Sequence, residues 1–467
     1  MVFSSTVFLF LFLPMTIIGY YALRECYGNY WLLFMSIVFF AWSQPTYLWI
    51  ILASVVINYS FAMVLSIKKN KAILGFAVIL NLSLLFYYKY LDFFISTGNT
   101  LLGLNVALKE IVLPIGISFF TFQGMSYVID VYRGTVKVQK NPLKVALYIM
   151  LFPQLVAGPI VRYSDIEREI DSRGVDISDL SSGITRFIIG LGKKAIVANT
   201  MAEIVDNIWK YGAENYTIPI VWLGSIAYSL QIFYDFSGYS DMAIGIGRIF
   251  GFHFCENFDR PYISKSITEF WRRWHMSLSS WFRDYVYIPL GGNRKHLYRN
   301  LIIVFLLTGL WHGASWTFVI WGLWNAIFIV SERFARSKGK SIETANGLWN
   351  GLSHIYALLV INIGWVLFRA ENISSAFTYI GAMFGIGLPA EPGFTSGWYL
   401  NRWSLFLFVI AVLDITGMIR KAIHLIKNKL PGVVYDILTL IVMYGLFVLS
   451  VMRIYSGTYN PFIYFQF

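Results

Sequence analysis

The sequence predicts an all-α polytopic membrane protein, and three observations lead to that prediction. Hydrophobic residues make up 57% of the 467 residues and charged residues only 13%, too few charges to cover a water-facing globule of this size. The apolar residues fall into about a dozen runs, many close to the ~20 residues that a helix needs to cross a bilayer. Lys and Arg gather in alternate connections, as expected for a chain that crosses repeatedly.

Six apolar runs occupy the first third of the chain. Basic residues follow the first, third and fifth run, whereas the loops near 45 and at 92–108 are poor in Lys and Arg. The positive-inside bias therefore predicts an external N-terminus and cytoplasmic loops after those three runs. The first run lacks a basic leader and a clear cleavage site, so it is interpreted as a retained span. The runs lie at about 5–23, 30–45, 47–66, 72–88, 111–130 and 144–161.

The remainder of the chain adds six more runs after a polar interval. Residues 162–182 are too charged to span, and 183–200 has the pattern of an interfacial helix. Without an internal repeat or a linker, the sequence predicts a single membrane domain over 1–467, with a C-terminal aromatic tail at 453–467 that lies outside. The runs lie at about 217–250, 301–330, 353–368, 373–388, 403–418 and 433–451.

Charge and cysteine content argue against two classes of protein. The net charge of +12 would suggest nucleic acid as the partner of a soluble protein, but cytoplasmic loops of a membrane protein explain it. Cys26 and Cys255 belong to no Cys/His cluster, so we expect neither a disulfide framework nor a bound metal.

The strongest candidate for chemistry is His312. It lies in the interval from Asn300 to Ser331, which contains no Lys, Arg, Asp or Glu, and an ionisable side chain at membrane depth is a functional candidate. Gly309 and Gly313 beside it predict close helix packing or a local break in the helix. The alternative is a neutral histidine that is bonded to another helix.

A second candidate is His275, within the segment Ser266 to Tyr287. Aromatic and apolar residues there recur at helical spacing, and Ser266 with Glu269 predicts an N-terminal capping box. The segment carries too many charges for a lipid-exposed span. His275 lies beside the apolar face, where a purely structural histidine would look the same. The face comprises Trp271, Trp274, Leu278, Trp281 and Tyr285.

Other polar residues in apolar surroundings give weaker signals. Pro153, Gly158 and Pro159 predict a kinked or re-entrant element around Gln154. Asp235 and Asp241 are six residues apart, on different helix faces, and are expected to bond neighbouring Arg or Tyr side chains. With no nucleophile elbow, P-loop or metalloprotease motif, imidazoles and hydroxyls are the available groups, and they suit acyl transfer from a thioester to a hydroxyl.

Six segments resemble the membrane-bound O-acyltransferases, and within that family the bacterial alginate O-acetyltransferase subgroup. The resemblance covers nearly the whole chain. The segments are FFTFQGMSYVIDVYR at 119–133, LFPQLVAGPIVR at 151–162, FYDFSGYSDMAIG at 233–245, NFDRPY at 257–262, FWRRWHMSLSSWFRDYVYIPLGGNR at 270–294 and GLWHGASW at 309–316.

The resemblance implies a ring of about eleven spans around a central tunnel, with re-entrant and interfacial helices, in a bacterial plasma membrane. It implies that His312 is the essential histidine, as general base on an acceptor hydroxyl, and that His275 orients or polarises the carbonyl of a cytosolic thioester, usually acetyl-CoA. The acceptor would be an external polysaccharide such as alginate, reached with an extracytoplasmic SGNH-type acetyltransferase as partner. Candidates for binding the donor or lining the tunnel are Trp271, Trp274, Trp311, Gln154, Asp235, Arg272 and Ser315.

The C-terminal tail suggests a further residue. Its aromatic sequence resembles the end of the small subunit that works with a teichoic-acid D-alanyl transferase, which implies that Tyr464 is a possible acyl relay. The alternative is an aromatic anchor at the membrane interface.

A membrane transporter or flippase is the competing function, because buried histidines and broken helices also mark transport pathways.

Overall fold

The computed structural model describes residues 1–339 and 347–457, and the regular structure of these residues is entirely helical. The chain forms two compact units. The first comprises Met1–Gly190 and Tyr239–Glu256, and the second comprises Leu191–Gly238 and Asn257–Phe467. Tyr464 lies outside the described residues.

The first unit contains the predicted N-terminal runs. α1 comprises Leu13–Ser43. Within it, Trp31 Nε1 donates to the carbonyl of Thr16, fifteen residues earlier, at 3.0 Å. On a straight helix these residues would be about 22 Å apart, so the chain reverses near Arg24, and the runs 5–23 and 30–45 pack against each other. The helices are α1 (Leu13–Ser43), α2 (Leu48–Ile67), α3 (Lys71–Leu85), α4 (Leu91–Leu102), α5 (Ile117–Arg133), α6 (Pro142–Met150), α7 (Phe152–Leu155), α8 (Tyr163–Asp171) and α9 (Ile177–Gly192).

The predicted break around Gln154 is confirmed. α6 ends at Met150, Leu151 leaves the helical region with ψ 113°, and α7 lasts a single turn before the chain becomes extended. Pro153 lies in the first turn of α7, where a missing N–H costs no helical hydrogen bond. Gln154 is buried, and its amide nitrogen donates to the carbonyl of Tyr148.

The second unit begins with the end of α9 and includes the first part of the long helix α11. Its core is a cluster of buried aliphatic and aromatic residues, among them Trp274, Trp321 and Trp365. The helices are α10 (Asn199–Tyr211), α11 (Ile218–Ile249), α12 (Ile267–Arg273), α13 (Met276–Phe282), α14 (Leu297–His312), α15 (Trp316–Ser337), α16 (Leu348–Arg369), α17 (Ile373–Met383), α18 (Arg402–Ile415), α19 (Met418–Lys429) and α20 (Gly432–Tyr455).

The apolar run at 301–330 is a hairpin of α14 and α15. Three glycines allow the two backbones to meet, because a Cβ on Gly309 would lie 2.3 Å from the carbonyl oxygen of Phe318 and one on Gly322 would lie 2.5 Å from that of Phe305. A Cβ on Gly313 would lie 2.1 Å from the Phe318 ring. Gly309 and Gly313 therefore permit both the close packing and the break that the sequence predicts.

Membrane character is evident in the described residues, whereas the count of about eleven spans is not confirmed. Many predicted runs are interrupted by turns or carry buried polar residues such as Asp130 and Asp235. Five helical segments are long and apolar enough to cross a bilayer: Pro45–Ile67, Lys71–Leu102, Trp316–Ser337, Leu348–Arg369 and Gly432–Tyr455. Shorter apolar helices are Phe8–Arg24, Leu297–His312 and Ile373–Met383.

We predict that Gly309→Ala destabilises the protein, because its methyl group must displace the backbone of α15. Overpacking of this kind costs about 1–3 kcal/mol, which should appear as a lower midpoint of thermal unfolding in detergent. Gly445→Ala is the matched control, since no atom lies within 4 Å of its Cβ position. Equal midpoints for the two variants would contradict the packing described.

Candidate active site

His312 lies at the turn of the α14–α15 hairpin. It is the last residue of α14, and Gly313 continues in an extended conformation. Its imidazole is 4% exposed and is surrounded by aromatic rings, with centroids 5.0 Å from Trp311, 5.1 Å from Trp321 and 5.1 Å from Phe368. A charged imidazolium would be poorly solvated in this setting.

His275 occupies a break between two short helices. The prediction of one continuous helix from Ser266 to Tyr287 is wrong, because α12 ends at Arg273 and α13 starts at Met276. His275 has φ 46° and ψ 54°, a left-handed conformation that costs energy for a residue with a side chain. Its ring is fully buried and stands edge-on to Phe236, with centroids 4.6 Å apart.

Asn257 sets the protonation of the His275 ring. The Asn257 Oδ1 accepts hydrogen bonds from the backbone N–H of Ser277 at 3.3 Å and from its hydroxyl at 2.8 Å. A backbone N–H only donates, so this atom is the amide oxygen. His275 Nδ1, 3.1 Å from the same oxygen, must therefore carry the hydrogen, and Nε2 bears a lone pair that bonds no other described residue.

The environment keeps His275 neutral. Burial, and then the proximity of His312, hold the pKa of His275 well below its ordinary value; this residue lies outside the helices long enough to span. In the neutral ring Nε2 carries no hydrogen and can accept a proton or a hydrogen bond. The part of His275 in acyl transfer stays a prediction.

The two histidines share one aromatic chamber. The Trp311 ring centroid lies 5.9 Å from that of His275 and 5.0 Å from that of His312, so the imidazoles are at most about 11 Å apart. The structure thus brings together His275, Trp311 and His312, three predicted site residues that lie within 37 positions of one another in the sequence.

Glu332 fixes the start of the helix that leads to His275. Its carboxylate is 7% exposed and accepts from the backbone N–H groups of Ile267 and Thr268 at 2.7 and 2.9 Å. It also accepts from the hydroxyls of Thr268 and Tyr356. A carboxylate at a helix N-terminus is stabilised by the unpaired N–H groups and the helix dipole.

The predicted cap of α12 is present in part. Ser266 Oγ accepts from the N–H of Glu269 at 2.9 Å, as the capping box requires. The Glu269 carboxylate accepts from Lys265 N–H, one residue before the expected partner. The roles of Asn257 and Glu332 are not predicted from the sequence, because both residues bond segments distant in the sequence. Asn257 belongs to the NFDRPY segment, which resembles the family but indicates no role for it.

A pocket of about 540 Å³ lies along α14, and neither histidine is among the described residues that line it. Its wall includes Trp271, Thr308, one helical turn before His312, and Met276, next to His275. Arg272, Arg283 and Arg333 also line it. Arg283 forms an ion pair with Asp284 at 2.6 Å. Arg272 and Arg333 form no ion pair with any described residue, so the pocket offers positive charge beside an apolar wall.

Comparison with known proteins identifies the family. A family model for the membrane-bound O-acyltransferase family matches residues 82–363, which include both histidines. The chain is 38% identical to the probable alginate O-acetylase of Pseudomonas putida over the full length of both proteins. The chain belongs to the membrane-bound O-acyltransferase family. It is also 36% identical to the peptidoglycan O-acetyltransferase of Helicobacter pylori, over 83% of this chain and 80% of that protein.

A more distant relative is the teichoic acid D-alanyltransferase of Bacillus subtilis, 31% identical over 49% of this chain and 61% of that protein. As a member of the membrane-bound O-acyltransferase family, the protein is a multi-pass bacterial membrane enzyme that transfers acyl groups.

The other predicted site residues of this acyltransferase have varied surroundings. Trp274 is buried against Phe270, with ring centroids 5.4 Å apart. Ser315 caps α15 by accepting from the N–H of Thr317. Asp235 forms a buried ion pair with Lys194 at 2.7 Å, a lysine where the sequence predicts an arginine or tyrosine partner. Trp271 donates to Asn325 at 3.0 Å.

Gln154 belongs to the first compact unit and Tyr464 falls outside the described residues. Their parts in acyl transfer stay predictions.

We predict that Asn257→Ala lowers turnover by about 10²–10⁴-fold, the range for a misplaced proton-transfer group, because the His275 hydrogen is then free to move to Nε2. Ser277→Ala is the control, since it leaves the Asn257–His275 bond in place, and it should retain most activity.

Asn257→Asp adds a test through pH. It keeps the acceptor oxygen but places a negative charge beside the ring, which raises the pKa of His275. The acidic limb of the activity profile should then move to higher pH, because Nε2 must be unprotonated to accept a proton. An unchanged profile together with an active Asn257→Ala variant would exclude this role for Asn257.

Proposed function

We propose that this enzyme moves an acetyl group from cytosolic acetyl-CoA to the hydroxyl of an exported polysaccharide such as alginate. The observation that carries the proposal is the aromatic chamber holding His275 and His312, with an arginine-lined pocket beside it. The names of the relatives, alginate O-acetylase and peptidoglycan O-acetyltransferase, support an acetyl donor and a glycan acceptor.

Charge along the second unit supports a cytosolic donor. α14 begins beside Arg294, Lys295 and Arg299, and α15 returns to Arg333 and Lys338. By the positive-inside bias this end of the hairpin faces the cytoplasm. The pocket that Arg272, Arg283 and Arg333 line is therefore open to a soluble thioester, whose phosphates suit guanidinium groups.

A second pocket supports an acceptor on the opposite side. Phe368 near the end of α16 contacts His312, and the next residue, Arg369, lines a polar pocket of about 630 Å³. The mixture of aromatic rings, carboxylates and hydroxyls in its wall is suited to a saccharide. Lining residues include Asp206, Trp209, Tyr216, Glu371, Asn372, Ser375 and Thr378.

In the proposed reaction His312 removes the proton of the acceptor hydroxyl as its oxygen attacks the thioester carbonyl carbon. The C–S bond breaks, the thiolate leaves, and the proton passes from His312 to the sulfur. His275 Nε2 accepts a hydrogen bond from the acceptor hydroxyl or from the protonated His312 ring. This bond lowers the energetic cost of positive charge in the chamber. Exclusion of water prevents hydrolysis of the donor.

An external partner completes the proposal. With an SGNH-type acetyltransferase outside the membrane as partner, the hydroxyl that attacks at His312 would belong to a relay instead of the polysaccharide, and the partner would pass the acetyl group on to the polysaccharide. Tyr464 is our candidate for a relay between the two proteins, supported by its resemblance to the tail of the teichoic-acid system and by the tail's predicted outward position.

We predict that His312→Ala abolishes acetylation while the folded protein still accumulates in the membrane. The measurement is release of free CoA from labelled acetyl-CoA in proteoliposomes that contain an acceptor glycan. His296→Asn is the matched control, because His296 is exposed and has φ 52°, which asparagine tolerates. A transporter would move substrate without consuming the thioester, so wild-type transport with intact acetyl-CoA would refute the proposed function.

We predict that Arg272→Gln and Arg333→Gln raise the KM for acetyl-CoA about tenfold or more each, with kcat little changed, because they remove phosphate contacts distant from the reacting carbonyl. Lys338→Gln is the control, a basic residue at the same end of the hairpin that does not line the pocket. If the Arg272, Arg333 and Lys338 variants all had the same KM for acetyl-CoA, the donor would bind outside this pocket.

A further inference from the structure

A separate polar pocket of about 800 Å³ lies in the first compact unit, at the reversal of α1. Three segments form its wall: the turn from Tyr20 to Tyr30, the start of α6 at Leu143 and Lys144, and residues Asp171 to Arg173 after α8. None of these residues has a part in the acyl transfer proposed above.

The charges in this wall are unbalanced. Among the described side chains of this wall, Arg24, Lys144 and Arg173 face one carboxylate, that of Asp171. Lys144 pairs with Asp171 at 2.6 Å, which leaves the two guanidinium groups. Arg24 makes no hydrogen bond or ion pair with a described residue.

Arg173 is held in place with part of its donor capacity unused. Its Nε donates to the carbonyl of Phe250 at 2.8 Å, and its Nη1 donates to Asn29 at 2.7 Å. The guanidinium carbon lies over the Phe252 ring, 4.3 Å from the ring centroid. Nη2 makes no hydrogen bond with a described residue. A preorganised guanidinium of this kind suits an oxygen-rich anion.

Both the predicted depth and the rim of the pocket favour a lipid. Arg24 and the basic stretch before Lys144 lie in loops that the charge bias places in the cytoplasm, at the level of the inner-leaflet headgroups. The rim has exposed apolar groups, Tyr30 at 45% and Leu143 at 47%, against which acyl chains can lie.

We propose that this pocket binds the phosphate of an anionic phospholipid headgroup, with Arg24 and Arg173 as the anion-binding groups. The phosphate oxygens accept from both guanidinium groups, and the acyl chains leave past Tyr30 and Leu143. The site is independent of the chemistry at His312.

The test is binding of dioleoyl phosphatidylglycerol to the delipidated full-length protein in detergent, measured by native mass spectrometry, with dioleoyl phosphatidylcholine as the uncharged comparison. Arg24→Gln should weaken phosphatidylglycerol binding about fivefold, the effect of one basic group near anionic lipid, and Arg24→Lys should largely retain it. Lys68→Gln, an exposed basic residue beyond the pocket, is the matched control and should bind as wild type does.

Three results would overturn the proposal. Arg24→Gln could bind phosphatidylglycerol as tightly as wild type, or the two lipids could bind wild type equally. Competition by millimolar inorganic phosphate would assign the pocket to a soluble phosphate compound instead of a lipid. Arg173 is left unchanged in this design because its bonds to backbone and to Asn29 also stabilise the fold.

Discussion

The whole site depends on burying two imidazoles where neither can be solvated by water. A charge on the His275 ring would be poorly solvated beside Phe236 and Trp311, so its resting state is neutral. For His275 the hydrogen bond to Asn257 also decides which nitrogen carries the hydrogen. In the reaction that we propose, the tautomer of His275 is fixed in advance, and the surrounding rings exclude the water that would compete for the acyl group.

The sequence predicts most of what composition and charge determine. Apolar runs indicate membrane helices, Pro153 and Pro159 indicate a broken element, and the sequence points to His275 and His312, whose rings both lie near Trp311. The division into two runs before residue 45 is confirmed by the Trp31–Thr16 bond.

Features that depend on tertiary contacts could not be predicted. The aromatic spacing from Trp271 to Tyr285 continues through the break at His275, because both short helices pack on the same core, so periodicity alone gives a single helix. The hairpin at His312 is hidden in an uninterrupted apolar run, since Gly313 is the only sign of its turn. Asn257 and Glu332 act on segments 18 and 65 residues away, and no local pattern reports such partners.

Glu332 also determines which sequences this architecture tolerates. The Glu332 carboxylate accepts hydrogen bonds from two main-chain amides and two hydroxyls. Glutamine is equal in size, but its NH₂ group would face one of these donors. Aspartate is one methylene shorter and would not reach them. Hydrogen bonds to the Glu332 carboxylate of α15 thereby connect α12, α15 and α16. A substitution that moves one of these helices would break hydrogen bonds to the other two. Sequence variation during evolution should therefore accumulate on their lipid-facing sides.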